Sequence, residues 1–201
     1  MTCSSDEDAR ILADAEAKAD RIIAAMRAKG VPEDRFVIAV DGRCGSGKTT
    51  LTEVLCRKLG ADAVHMDDFY LTPEQRTEAR FREPGGNVNY ERFSEEVLPY
   101  LGKPEGFSYR AYDFPTRSFP RTVRVRSGQR VVVEGAYSCH PVFGEYADLK
   151  VFSDIGREER ERRILKRNGP EGLQGFISRW IPLEEHYLAA YGIFGKSDII
   201  V

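Results

Sequence analysis

Eight consecutive residues, Gly42-Arg43-Cys44-Gly45-Ser46-Gly47-Lys48-Thr49, set a glycine, four residues, a second glycine, a lysine and a hydroxyl side chain in order. That pattern suits a polyphosphate. The glycines let successive backbone N–H groups turn inward around phosphate oxygens. A helix starting at the loop, through Thr49 and Thr50, adds its unpaired N–H groups and the positive end of its dipole. Lys48 then reaches the β- and γ-phosphates, and the Thr49 hydroxyl ligates Mg²⁺. The alternative is a glycine turn with an incidental lysine. The context argues against it: an apolar run, "RFVIAVDG", precedes the loop, and Leu51, Val54, Leu55 and Leu59 follow at helical spacing.

Acids stand at two further places where strands should end. Asp67 and Asp68 close "ADAVHMDDFY", and Glu134 closes "QRVVVEG". Ligands of a parallel sheet bind beyond the carboxyl ends of its strands. A carboxylate there can take or orient the proton of an attacking hydroxyl during phosphoryl transfer, and Asp67 is the candidate. Asp68 divides between that role and a helix N-cap. Glu134 suits a bound Mg²⁺ or a metal-bound water; the plain alternative is a solvated strand-end acid.

The elements that must position these residues can be read from periodicity. The runs "RFVIAVDG", "QRVVVEGAYS" and "ADLKVFSD", with the short "ADAVHMDDFY" and the closing "SDIIV", read as the five strands of a core sheet. Helical patterns alternate with them, so the expected fold is α/β: a doubly wound, mostly parallel five-stranded sheet. "FSYRAYDF" and "PRTVRVR" alternate like a hairpin or small flap, and a helix is expected near 89–101. "GREERERRILKRN" and "GLQGFISRWIPLEEHYLAAYG" read as two helices, the first inside a helical lid at roughly 157–175. Residues 1–30 form an amphipathic helix with Ile11, Ala15, Ile22 and Met26 on one stripe, packed on a single domain of 31–201. Whether that helix covers the sheet or makes a homo-oligomer contact stays open here.

Bulk properties narrow the classes. The 201 residues are 41% hydrophobic and 31% charged, as in an ordinary folded domain. A formal net charge of -2 gives no basic field for nucleic acid or an anionic membrane. The four cysteines lack metal-ligand or disulfide spacing, there is no signal-peptide core, and no run spans a membrane, so the expectation is a cytoplasmic protein. No "NKxD" stretch for reading guanine is present. Trp180, Ile181, Leu183, Tyr187 and Leu188 read as a core stripe. His65, His140 and His186 share no ligand spacing, and Cys44 reads as loop filler, though a helix N-terminus lowers thiol pKa values.

Taken together, these stretches resemble the uridine kinase family, in the wider group with phosphoribulokinase and pantothenate kinase. "HMDDFY", "NVNYERF", "YDFPTRS", "VVVEGAY", "RILKRN" and "SDIIV" follow the P-loop in that family's order, from about Phe36 to Val201. The resemblance implies a kinase moving the γ-phosphoryl group of ATP, with Mg²⁺, to a hydroxyl of a small nucleoside-like acceptor. It implies Asp67 as the base, Glu134 and Thr49 (with Asp67) at the metal, Glu91 on ribose hydroxyls, and Tyr70 and Tyr112 lining the acceptor pocket. It also implies Arg163 and Arg167 as lid residues meeting the phosphates. Three departures stand out. Arg117 replaces a base-reading histidine, Glu91 replaces an aspartate, and "RNGPEGLQG" lacks later lid arginines, for which Arg160, Lys166 or Arg179 are substitutes. Arg117 would also suit an acceptor with a carboxylate or phosphate. The alternatives are therefore a kinase of a phosphosugar or pantothenate-like acid, a nucleotide-dependent regulatory module without transfer activity, or a degenerate kinase.

Overall fold

A computed structural model describes residues 3–201, so the first two residues of the expected 1–30 segment lie outside it. Five parallel strands form the central sheet: β1 (Phe36–Gly42), β2 (Asp62–His65), β5 (Arg130–Glu134), β6 (Leu149–Ser153) and β7 (Ile199–Ile200). Their spatial order is β2-β5-β1-β6-β7. Every residue of β1 is buried, as a strand covered on both faces requires. Alternation along the strands divides the core. Phe36, Ile38, Val40 and Val132 face one layer, and Val37, Val131 and Val133 face another containing Phe93 and Tyr187.

Helix α1 (Cys3–Ala28) packs on α2 (Lys48–Leu59), burying Ala15, Ala19, Ile22 and Met26. Glu16 pairs with Arg57 and Lys58, and Asp20 with Lys58, which fixes the two helices in register. The apolar stripe of α1 is thus used inside the domain, as a cover. Between β2 and β5 the chain forms short α3 (Glu78–Arg82) and α4 (Tyr90–Glu96), then the antiparallel hairpin β3 (Phe107–Asp113) and β4 (Ser118–Val125). The helix expected over 89–101 is shorter: after Glu96 the chain tightens into a 3₁₀ turn at Leu98–Tyr100, where Pro99 cannot continue an α-helix.

The two helices expected after β6 are one helical path with a break. Helix α5 (Arg157–Gly175) is interrupted at Gly169, whose φ of 71° and ψ of 178° are non-helical, just before Pro170. It runs through a π turn at Phe176–Trp180 into α6 (Ile181–Tyr191), and α7 (Ile193–Lys196) follows. Pro182 sits in the first turn of α6, where a missing N–H costs nothing. Among the described residues no helix is long and apolar enough to cross a membrane.

Candidate active site

Strand register builds the floor of the site. Val40 of β1 lies opposite Glu134 of β5, and Glu134 lies opposite His65 of β2. The C-terminal ends of three strands therefore meet in one row, and the loop 42–47 leaves β1 beside them. Gly42, at φ 142°, lies so close to β6 that a side chain would collide with the Ser153 carbonyl. Gly47, at φ 92°, turns the loop into α2 without any side-chain cap, leaving the first N–H groups of that helix for a ligand.

A cavity of about 470 Å³ opens over this row. Cys44, Gly45, Gly47, Lys48, Thr49 and Thr50 line it, with Asp67, Tyr70, Glu134, Arg163 and Arg167. Gly42 and Ser46, also expected at the nucleotide, act from behind the surface. Lys48 Nζ donates to the carbonyls of Gly42 and Arg43 at 2.7 and 2.8 Å, and Ser46 is buried with an unpartnered hydroxyl. Lid residue Arg163 faces Gly47, its Nη1 3.1 Å from where a Cβ would stand, and Glu159 holds its Nε at 2.7 Å. Arg167 packs over Phe176.

Asp67 belongs to a 3₁₀ turn, Met66–Phe69, one step beyond the end of β2. Its carboxylate is open to water inside the cavity yet ringed by protein, and Tyr70 donates to it at 3.3 Å. Desolvation, and secondly the charge of Glu134, raise its pKa above the ordinary aspartate value. Glu134 Oε1 accepts from Thr49 at 3.3 Å and lies 2.7 Å from His65 Nδ1. That hydrogen bond raises the His65 pKa and aims the glutamate. Two carboxylates and a hydroxyl form a hard oxygen set. It fits Mg²⁺, which is typically held by one or two carboxylates and completed by waters and phosphate oxygens. Among the described residues no denser His, Cys, Asp or Glu group offers a metal cage.

Asp68 is resolved toward structure. It is buried, accepting from Tyr109 at 2.9 Å and Arg121 at 2.8 Å, and so ties the hairpin to the core. Three acceptor residues suggested by the resemblance do not reach the cavity. Both carboxylate oxygens of Glu91 are taken by Arg80, each at 2.7 Å. Tyr112 is buried edge-on to Phe119. Arg117 sits exposed on the hairpin turn at φ 53°. Arg160, a suggested lid substitute, is buried, with its carbonyl against Gly45 instead of its head in the cavity. Lys166 does line the cavity.

Other residues emerge only from the tertiary arrangement. Trp180 leaves the expected core stripe: it lines the cavity and packs with Tyr70 and Phe114, whereas Tyr187 and Leu188 are true core. Asn87 is 3% exposed, lines the cavity, and keeps an unpartnered Oδ1. Glu184 of α6 lines the cavity and accepts from the Cys44 N–H. Burial raises the Glu184 pKa. It also pushes the Cys44 thiol up to about 12, with the Glu184 charge adding to it, against the lowering that a helix N-terminus suggests. Asp41, fully buried before the loop, accepts from the N–H groups of Gly42 and Cys139 and the Tyr187 hydroxyl. A polar side chain facing α6 in this way leaves no signal in the local sequence.

A cytidylate kinase from Pyrococcus horikoshii is 24% identical over 174 residues, covering 81% of this chain and 75% of its own. A uridine kinase from Staphylococcus epidermidis is also 24% identical over 174 residues, covering 76% of this chain and 81% of its own. Among solved structures, a Bacillus stearothermophilus protein named as a possible uridine kinase superposes with a TM-score of 0.69 at 20% identity, over 94% of this chain and 98% of that one. The chain is thus similar in sequence to uridine kinases, and in fold to a P-loop protein named as a possible one. No protein-family model matches it. In this chain the phosphate-binding loop and both strand-end acids line one cavity.

Proposed function

We propose that this kinase transfers the γ-phosphoryl group of ATP to a hydroxyl of a small nucleoside-like metabolite. The observation that carries the reading is the convergence of Lys48, Thr49, Asp67 and Glu134 on one cavity under the lid arginines. The loop amides and Lys48 bind the donor phosphates. Thr49 and Glu134, with Asp67 beside them, would hold Mg²⁺, which supplies neutralisation of phosphate charge when bound. Asp67 takes the acceptor's hydroxyl proton as its oxygen bonds to the γ-phosphorus and the bond to the β-bridging oxygen breaks. Its raised pKa makes it a better proton acceptor than a fully solvated aspartate. Arg163 and Arg167 face the transferring group from α5 and exclude water beside it.

The named relatives act by their names on a nucleoside or a nucleotide, so both classes enter the test. ADP release is followed with ATP, Mg²⁺ and a panel of nucleosides, nucleotides, sugars and hydroxy acids. Turnover should require one acceptor, and Asp67→Asn should lower kcat about 10²- to 10⁴-fold while ATP still binds. ATP hydrolysis indifferent to every acceptor, and unchanged in Asp67→Asn, refutes the reading.

A further inference from the structure

Helix α5 lays three arginines on one stripe, with Arg160, Arg163 and Arg167 at i, i+3 and i+7. Arg163 and Arg167 line the cavity, and Arg160 does not. At Arg160 the helix is pressed onto the phosphate-binding loop. A side chain at Gly45, whose φ is 76°, would stand 3.0 Å from the Arg160 carbonyl oxygen and 3.3 Å from its Cα. Arg160 is therefore fixed at the root of the lid, packed against the loop and outside the cavity.

Its guanidinium has no counter-charge in hand. Arg160 is 6% exposed, and its Nε and Nη1 are buried without a hydrogen-bond partner. The acids around the loop are engaged by other groups. Both oxygens of Glu185 accept from Arg43, at 2.6 and 3.1 Å, and Asp154 accepts from Arg43 at 3.1 Å. Glu184 accepts from the Cys44 N–H. Arg160 reaches this group by charge alone. The Glu185 pKa is lowered first by the Arg43 hydrogen bond and further by the Arg160 charge. The Cys44 thiol, raised first by burial, is held back by the charges of Lys48 and Arg160.

A buried cation without partners destabilises the fold that carries it. A counter-charge that arrives later removes that cost. The loop beside Arg160 is shaped for a polyphosphate, and a charge that is shielded from water acts on such an anion over several ångströms. We propose that Arg160 is a positioning residue for the donor: a positive charge kept unpaired behind Cys44 and Gly45 in the empty protein, and neutralised through the loop by the donor's phosphates. This rests on the nucleotide-binding reading of the loop and adds a determinant of donor affinity outside the cavity. Arg160 does not meet the transferring group, as Arg163 and Arg167 do in the proposed reaction.

Two variants of the full chain test it. Arg160→Met keeps a long, flexible stem and removes the charge; Arg160→Lys keeps the charge without the planar fork. Thermal melts of the empty proteins are compared with calorimetric titrations using Mg²⁺-ATP and inorganic tripolyphosphate. Empty Arg160→Met should melt no lower than the parent, since it loses a buried unpaired charge. It should nevertheless bind ATP and tripolyphosphate about tenfold more weakly, and Arg160→Lys should bind both within about threefold of the parent. A structural arginine would give the opposite pattern, a weaker fold with donor binding intact. The inference is overturned if Arg160→Met melts lower when empty or fails to fold, if its ATP affinity is unchanged, or if Arg160→Lys binds as weakly as Arg160→Met. A parent protein that binds no ATP overturns the donor-site reading beneath it.

Discussion

The carboxylate of Glu184 accepts the Cys44 amide N–H at 3.0 Å, which plants a negative charge beside the loop that must bind phosphates. Lys48, close enough to act on that charge, is folded onto the Gly42 and Arg43 carbonyls. Donor binding must overcome repulsion from Glu184 and release Lys48. Glu184→Gln keeps an oxygen for the Cys44 N–H and removes the charge. It should tighten ATP binding about three- to tenfold, on the order of 1 kcal/mol for a charge pair in partly screened surroundings. Titration calorimetry with Mg²⁺-ATP measures it; unchanged or weaker binding refutes the repulsion.

His65 holds Glu134 and does not itself reach the donor loop. Removing such an orienting partner weakens metal binding about 10- to 100-fold in general. His65→Ala should therefore raise the Mg²⁺ concentration for half-maximal activity by about that factor. Glu134→Gln, which alters the ligand, should raise it further. Magnesium titrations of both variants at saturating ATP check the order, and the reverse order would contradict it.

Glu159 holds both Arg162 and Arg163, and its pKa is lowered to about 2, chiefly by the Arg162 hydrogen bond. A lowered carboxylate pKa stabilises the fold above the unfolded value near 4.5, and that stability is lost as pH falls toward 2. The wild type should thus exceed Glu159→Gln in melting temperature at neutral pH, and the gap should close between about pH 5 and pH 2. Its size is small, because the glutamate is partly exposed and solvent-screened. A gap that widens on acidification contradicts the sign.

Tyr187 donates to fully buried Asp41 at 2.7 Å, and its own ring packs on Tyr137 and His140. Tyr187→Phe keeps the packing and leaves that carboxylate short of one donor, at a cost of about 1–3 kcal/mol. For a chain of this size the melting temperature should fall about 2–4 °C per kcal/mol. An unchanged melting curve would mean that water replaces the hydroxyl.

Much of the fold was legible because its signals are local. Continuous apolar runs marked the strands of the parallel sheet, and the glycine spacing marked the loop that Gly42 and Gly47 shape. The misreadings have local causes too. Glu91 looked available because nothing nearby in sequence shows Arg80 closing on it from another helix. Trp180 fitted a core stripe because helical periodicity assumes an unbroken helix. The π turn at Phe176–Trp180 rotates it out toward Tyr70 and Phe114.

The sequence by itself determined the phosphate-binding loop, the sheet that carries it, and the acids at neighbouring strand ends, since backbone conformation and burial follow from residue type over a few positions. Only the tertiary structure decided which further side chains line the cavity. Asn87, Trp180 and Glu184 come from segments far apart from the loop in the chain, and side chains choose their partners by what folding brings within a few ångströms.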